Sequence, residues 1–263
     1  MIRNIRFIWL LIRLKLSHMM VFRLSFFGAF FTDGMLFITQ LVTFQIIFSQ
    51  VETLGTWGQG EMLIFIGTFS MINGISMVIC FFGVVEIPNK ITSGDLDLYL
   101  TKPGSPLLRL TFENVNPGSA PLLILSGLII AYGVQVAGVE LSAALILGYS
   151  VLVLLMTLLF YDVELIIRIL PFFFLGTSNM QNIEANLLEL NFRVPGIIYE
   201  GLFKVIFFFI VPYGIMATVP TQFITRSLTT GWLLQALGVV VFFTGFALWF
   251  WRFGLRHYKS ASS

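Results

Sequence analysis

The chain has 263 residues, of which 57% are hydrophobic and 11% charged, and its mean hydropathy is +0.94. Soluble globular domains carry about a quarter charged residues, so this composition excludes one and requires an integral membrane protein. Apolar runs of about 20 residues joined by short polar links exclude a membrane barrel, whose strands would be segments of roughly 10 residues with alternating polarity, and they define an all-α fold.

Residues 1–24 carry Arg3, Arg6, Arg13, Lys15 and Arg23 among Ile5, Phe7, Ile8, Trp9, Leu11 and Ile12. This mixture predicts an amphipathic helix lying in the membrane interface, with its cations snorkelling and Trp9 at headgroup level. Arg13 and Lys15 interrupt the apolar core, so the segment reads as retained and not as a cleaved signal. A first span is expected over 26–48 and a second over 62–85, with GTWGQGE as the turn between them. Asp33, two turns into the first span, is expected to pair with Arg23 or another helix's cation. In the second span Gly67, Ser70 and Gly74 share a face that lets another backbone come close, and Asn73 beside it is a possible substrate-path residue. Cys80, the one cysteine, reads as a small buried hydrophobe.

Residues 86–109, EIPNKITSGDLDLYLTKPGSPLLR, form the longest polar interruption. Gly94 and the pair Pro103-Gly104 are breakers. Ser93 or Asp95 is placed to cap a short helix on which Leu96, Tyr99 and Leu100 share a face at i, i+3, i+4. Spans follow over 121–137 and 141–161. From 162 to 200 neither apolar burst reaches about 20 residues, so interfacial or partly inserted helices are expected, with Glu164 and Arg168 an ordinary i, i+4 pair. A fifth span over 202–219 is broken by Pro212 and ended by Pro220; Phe207 and Pro212 are therefore candidates for lining a cavity. A sixth span, 232–250, precedes the polar tail.

Six spans place both termini on one side. Basic residues concentrate in the N-terminal helix, the polar loop (Lys90, Lys102, Arg109), the 162–200 region and the tail, leaving Arg226 opposite, so the termini and the 86–109 loop are expected in the cytoplasm. No repeat or second domain interrupts a single domain over 1–263. The pattern GxxxxGK[ST] is absent, as are GxSxG and HExxH, so neither nucleotide hydrolysis nor other hydrolase chemistry is expected of this chain. His18 and His257 have no Cys or carboxylate at ligand spacing, and no metal is expected.

The stretch ITSGDLDLYLTKPGSPL resembles the signature loop of ABC-2 type permeases of the DUF990 group, approximately I-x-x-G-x-L-D-x-x-L-x-x-P-x-x-P-L. Ile91, Gly94, Leu96, Asp97, Leu100, Pro103, Pro106 and Leu107 meet it. NFRVPGIIYEGLFKVIFFFIVPYGIMATVP and the tail GLRHYKSAS are similar to later segments of that family. Gly104 departs from the pattern, as does TFENVNPGS after the loop. The resemblance implies an ABC-2, type V exporter-like architecture: a permease subunit in the bacterial inner membrane that dimerises with itself or a sister permease. It also implies two copies of a separately encoded ATPase, which would hold ATP and Mg, while this chain binds no cofactor and no nucleic acid. The loop would carry the coupling helix, with Leu96, Leu98, Tyr99 and Leu100 as its apolar anchor, Asp95, Asp97 and Lys102 as its polar rim, and Ile91, Gly94 and Pro103 framing it. The scarcity of intramembrane charge favours a hydrophobic or amphipathic cargo moved outward. The competing expectation is a multi-pass anchor or sensor without transport.

Overall fold

A computed structural model describes residues 34–35, 38–39, 41–174 and 178–258, the side chains of 178–181, 192 and 193 aside. The interfacial helix expected over 1–24, Asp33, His18 and much of the first span lie outside the described residues. Among those described, the regular structure is helical apart from one bridge between Leu54 and Trp57. Four helices are long and apolar enough to cross a membrane, with a fifth candidate formed by a bent pair. The protein is therefore an all-α, multi-pass membrane protein.

Helix α1, residues 41–48, packs through Phe44 against Trp57, Phe65 and Phe69. Helix α2, Gln59–Ile79, begins where the Glu61 side chain accepts the Gly58 N–H at 2.9 Å. At Cys80 the backbone turns to φ −139°, so the expected second span does not run straight to residue 85. It continues as two short helices, α3 (Phe81–Val85) and α4 (Ile87–Ser93). A Cβ on Gly83 would run into the carbonyls of Leu110 and Thr111, so only glycine lets α3 lie this close to the chain beyond the polar segment. That chain is α5 (Asp97–Leu100), α6 (Pro106–Glu113) and α7 (Ala120–Val136).

Helices α2 and α7 run antiparallel along a seam of small residues. A Cβ on Gly60 would meet Ala137, on Gly67 Ile130, and on Gly74 Leu123, so the register advances seven residues at each step. Gly133 closes the seam from the other side, where a Cβ would lie 2.8 Å from the Ile64 backbone nitrogen. Between hydrocarbon-solvated helices this close van der Waals approach is the main attraction available.

Helix α8, Ala143–Ile169, starts at Ser142, whose hydroxyl accepts the Leu145 N–H at 3.2 Å. Its 27 residues make it about 40 Å long, beyond the roughly 30 Å of a hydrocarbon core, so it extends past residue 161 and takes up Asp162, Glu164 and Arg168. Helix α9, Ser178–Arg193, follows. Before it, Phe172 packs on Trp251 and Tyr258, both 5.8 Å away between rings. After it, the Ile197 side chain lies against Gly55 and joins the Trp57 cluster. The segment thus runs from the end of the bundle that holds Trp251 to the end that holds Trp57, and is not confined to one interface.

Residues expected as a fifth span form two arms bent by 81°: Gly201–Ile210, comprising α10 (Gly201–Val205) and a π-helical turn, and Tyr213–Ile224, comprising α11 (Tyr213–Met216) and α12 (Thr218–Ile224). Val211 N–H bonds the Ile206 carbonyl at 2.8 Å in the wide i→i−5 pattern, and Pro212 has no N–H to continue either arm. Pro220 sits in the first turn of α12 and does not end it, because proline is tolerated there. The last helix, α13 (Thr230–His257), is capped by the Thr229 hydroxyl. Lys204 lies 4.6 Å over the Trp232 ring in the first turn of α13, and Arg226 donates to the Glu140 carbonyl at 3.1 Å. Both arms therefore have their outer ends at the Trp57 end, while Tyr213 at the bend reaches Phe160 of α8.

Gly133→Ala places a methyl against the α2 backbone and is expected to cost about 1–3 kcal/mol, whereas Gly238→Ala enters open space and is neutral. Thermal unfolding of both variants in detergent checks this, and equal melting temperatures would contradict the seam.

Candidate functional site

The polar segment 86–109 is a folded unit, and each of its turns has a local cause. Pro88 sits in the first turn of α4, where its missing N–H is unneeded. Gly94 ends α4 at φ +83°, a conformation that strains residues with a Cβ, and from there the Leu96 N–H reaches back to the Lys90 carbonyl at 3.0 Å. Neither Ser93 nor Asp95 caps α5 as expected. Their side chains bond each other at 2.9 Å, and Leu96 occupies the N-cap position. At the far side Ser105 accepts the Leu108 N–H and Pro106 opens α6.

Leu96 is 0% exposed. It packs among Ile87 and Ile91 of α4, Leu107 and Leu110 of α6, Leu165 and Ile169 of α8, and Ala247 and Trp251 of α13. Elements far apart in sequence are thus joined under the segment. Burial on this scale stabilises by about 1.5–3 kcal/mol for one leucine. The expected role of Leu96 as an anchor for another protein is corrected accordingly, because its surface is consumed within the chain. Ile91 is buried for the same reason. Leu98 and Leu100, at 59% and 40% exposure, carry the apolar surface that remains open, with Asp95, Lys102 and Pro103 exposed around them.

Tyr99 belongs to neither group. Its hydroxyl donates to Glu113 Oε1 at 2.8 Å, and Lys90 Nζ lies 4.8 Å over its ring and 4.0 Å from the same carboxylate. Lys90 of α4, Tyr99 of α5 and Glu113 of α6 therefore clamp three helices, and none of the three is specified by the signature pattern. Partial burial works against the Lys90 ammonium, but its contact with Tyr99 and the charges of Glu113 and Glu86 outweigh that and raise its pKa above the ordinary 10.5. Tyr99 is raised as well, first by burial, so it keeps the proton it donates. Lys90 thus contributes fully below its unfolded value, and the contribution is lost only as pH rises through the raised folded value. Tyr258, just past α13, is raised by partial burial and then by the neighbouring charge of Asp97, which sets the C-terminal tail beside α5.

A second polar cluster lies inside the bundle. Arg168 of α8 holds Glu164 at 3.2 Å and Glu184 of α9 at 2.8 Å, and the Tyr213 hydroxyl donates to Glu184 at 3.4 Å. All four side chains are buried. Glu164 and Arg168 are therefore more than the expected i, i+4 pair. They join α8, α9 and the bend, and taking one partner from such a buried set typically costs about 3–5 kcal/mol. Asp162 stands apart, accepting the Thr244 hydroxyl of α13 at 2.5 Å. Of the possible substrate-path residues, Asn73 is half-buried, Pro212 is buried, and Phe207 is closed off by Tyr199 stacked 4.6 Å away. Among the described residues no group of three His, Cys, Asp or Glu is placed to hold a metal.

The model of the ABC-2 family transporter proteins matches residues 35–262, so the chain belongs to the ABC-2 family and is a transmembrane component of an ABC transporter. It is a transport component and not itself catalytic, and the family associates with an ABC ATPase. No curated protein and no solved structure matches the chain.

Tyr99→Phe keeps the ring and removes one hydrogen bond, worth about 1 kcal/mol. Proteinase K is expected to nick residues 101–105 of the membrane-embedded variant about fivefold faster than wild type, the rate equivalent of that loss. An unchanged rate would show that the clamp does not hold the segment.

Proposed function

We propose that this chain is the permease subunit of an exporter in the bacterial inner membrane, of the DUF990 group, and that a separately encoded ATPase drives it from the face carrying Leu98 and Leu100. The observation that carries this reading is the division of labour within one short helix. Leu96 fastens the segment to the ends of α8 and α13, while Leu98 and Leu100 point away from the chain's own core. An exposed apolar pair on a rigid mount, rimmed by Asp95 and Lys102, has the anatomy of a small docking surface. Two ATPase copies would bind ATP and Mg, and their closure would move the mounted helices as rigid bodies.

In this reading the helix count is six with α9, not 202–219, as the fifth crossing. The bent pair is then a re-entrant element whose two outer ends share the Trp57 side. The termini and the polar segment are cytoplasmic, as the distribution of Lys and Arg supports. Hydrophobic or amphipathic cargo fits a chain whose buried charges are tied up with one another, and two permease subunits would enclose its path.

Vanadate-sensitive ATP hydrolysis should copurify with the wild-type chain from native membranes and fall at least about tenfold, or some 1.4 kcal/mol, with Leu98→Asp or Leu100→Asp, at unchanged melting temperature. If no ATPase accompanies the wild type and both substitutions are silent, the chain is a membrane anchor or sensor.

A further inference from the structure

Helix α13 has an outward face that changes character along its length. Phe242, Phe246, Trp249 and Phe253 recur at i, i+4, i+7, i+11 and so lie in one stripe. Phe242 stacks on Phe246 at 6.1 Å between ring centroids, Trp249 on Phe253 at 5.4 Å, and Phe173, from the segment after α8, on Phe253 at 5.5 Å. A ring from another element thus braces the stripe, yet Phe242, Trp249 and Phe253 stay exposed. Gly245, where a side chain would enter open space, leaves a gap beside Phe242 and Trp249. At the Trp251 end the face turns cationic. Arg252 and Arg256, one turn apart, are exposed and form no ion pair among the described residues. His257 closes the stripe, its Nδ1–H donating to the Phe253 carbonyl at 2.9 Å and its ring 4.3 Å from that of Phe253. Helix α13 carries no acidic residue; Asp95 and Asp97, beside Tyr258 just past its end, form no ion pair with either arginine.

We propose that this face binds an anionic phospholipid, its phosphate held between Arg252 and Arg256 and one acyl chain laid along the rings down to Phe242. Residues four apart on a helix are neighbours, so two guanidiniums converge on one phosphate, the group their planar forks match best. From Phe242 to Phe253 the helix rises about 16 Å, close to one leaflet of a hydrocarbon core roughly 30 Å thick. A charged head on a chain one leaflet deep is the shape of a phospholipid. An aliphatic face solvates every lipid alike, whereas paired arginines at the head of the stripe select negative charge, because a zwitterionic head brings its own cation against them. A soluble ATPase would reach the arginines but not rings a leaflet deep, so a lipid is the occupant that uses both halves of the face. The proposal requires only that α13 cross the membrane, and it is independent of the exporter reading.

Trp249 is a built-in reporter. The full chain is reconstituted in phosphatidylcholine vesicles containing a minor fraction of either phosphatidylglycerol or phosphatidylcholine with brominated chains, and Trp249 emission is taken as the difference between wild type and Trp249→Phe. Brominated phosphatidylglycerol is expected to quench it several-fold more than brominated phosphatidylcholine at equal mole fraction. The preference should vanish in Arg252→Gln/Arg256→Gln, while quenching by brominated phosphatidylcholine stays as in wild type and shows the face still folded and lipid-exposed. Equal quenching by the two lipids in the wild type would mean an ordinary lipid annulus and overturn the proposal. A preference that survives the double substitution overturns it too, as does loss of ATPase copurification in that variant with no lipid preference in the wild type, which would assign the arginines to the ATPase.

Discussion

Burial of Leu96 is the contact on which the arrangement of the polar segment depends. A stretch rich in Gly, Asp, Lys and Pro has little reason of its own to hold a shape, and an isolated four-residue helix such as α5 is unstable in water. Seating one leucine among α4, α6, α8 and α13 supplies the missing packing. The Gly94 turn and the Lys90, Tyr99 and Glu113 clamp then fix the orientation of the residues around it. A load applied at Leu98 or Leu100 would therefore reach α8 and α13 through this shared cluster, and not only α2 and α7, which flank the segment in sequence.

Inside the bundle the governing constraint is that hydrocarbon offers no partner to a polar group. Backbone groups are satisfied by helices, and where Pro212 interrupts one the chain widens to a π turn before it and bends. Side-chain charges are satisfied by one another. Arg168 can lie deep in the protein because two carboxylates face it, and Glu184 is tolerable on α9 because Arg168 is there. The same cluster ties the bend at Tyr213 to α8, so the two bent arms and the long helix share a polar fastening.

How much of this was legible in the sequence follows from what each signal measures. Hydropathy found α2, α7, α8 and α13, since their apolar character is intrinsic to each segment. It did not show that Glu184 pairs with Arg168, because a hydropathy window sums residues and does not register which side chains meet. It overextended the α2 span, since composition does not register a backbone turn at Cys80. The small residues at 67 and 74 announced close packing, and the register with α7 bears it out. Alternation in 94–100 revealed that α5 has an apolar side, but two leucines two residues apart, Leu96 and Leu98, look alike in sequence and meet opposite environments. The clamp lay beyond reach because Glu113 stands fourteen residues from Tyr99 and no local pattern links them.

The polar segment holds its shape before any ATPase touches it, and hydrogen–deuterium exchange on the permease alone in lipid nanodiscs reports whether it does. Peptides covering Ile87–Leu100 should exchange at rates within about tenfold of those covering the end of α8, a difference of no more than some 1.4 kcal/mol in opening free energy. Exchange as fast as that of an unstructured chain, with α8 still protected, would instead show the segment to be a solvated connector.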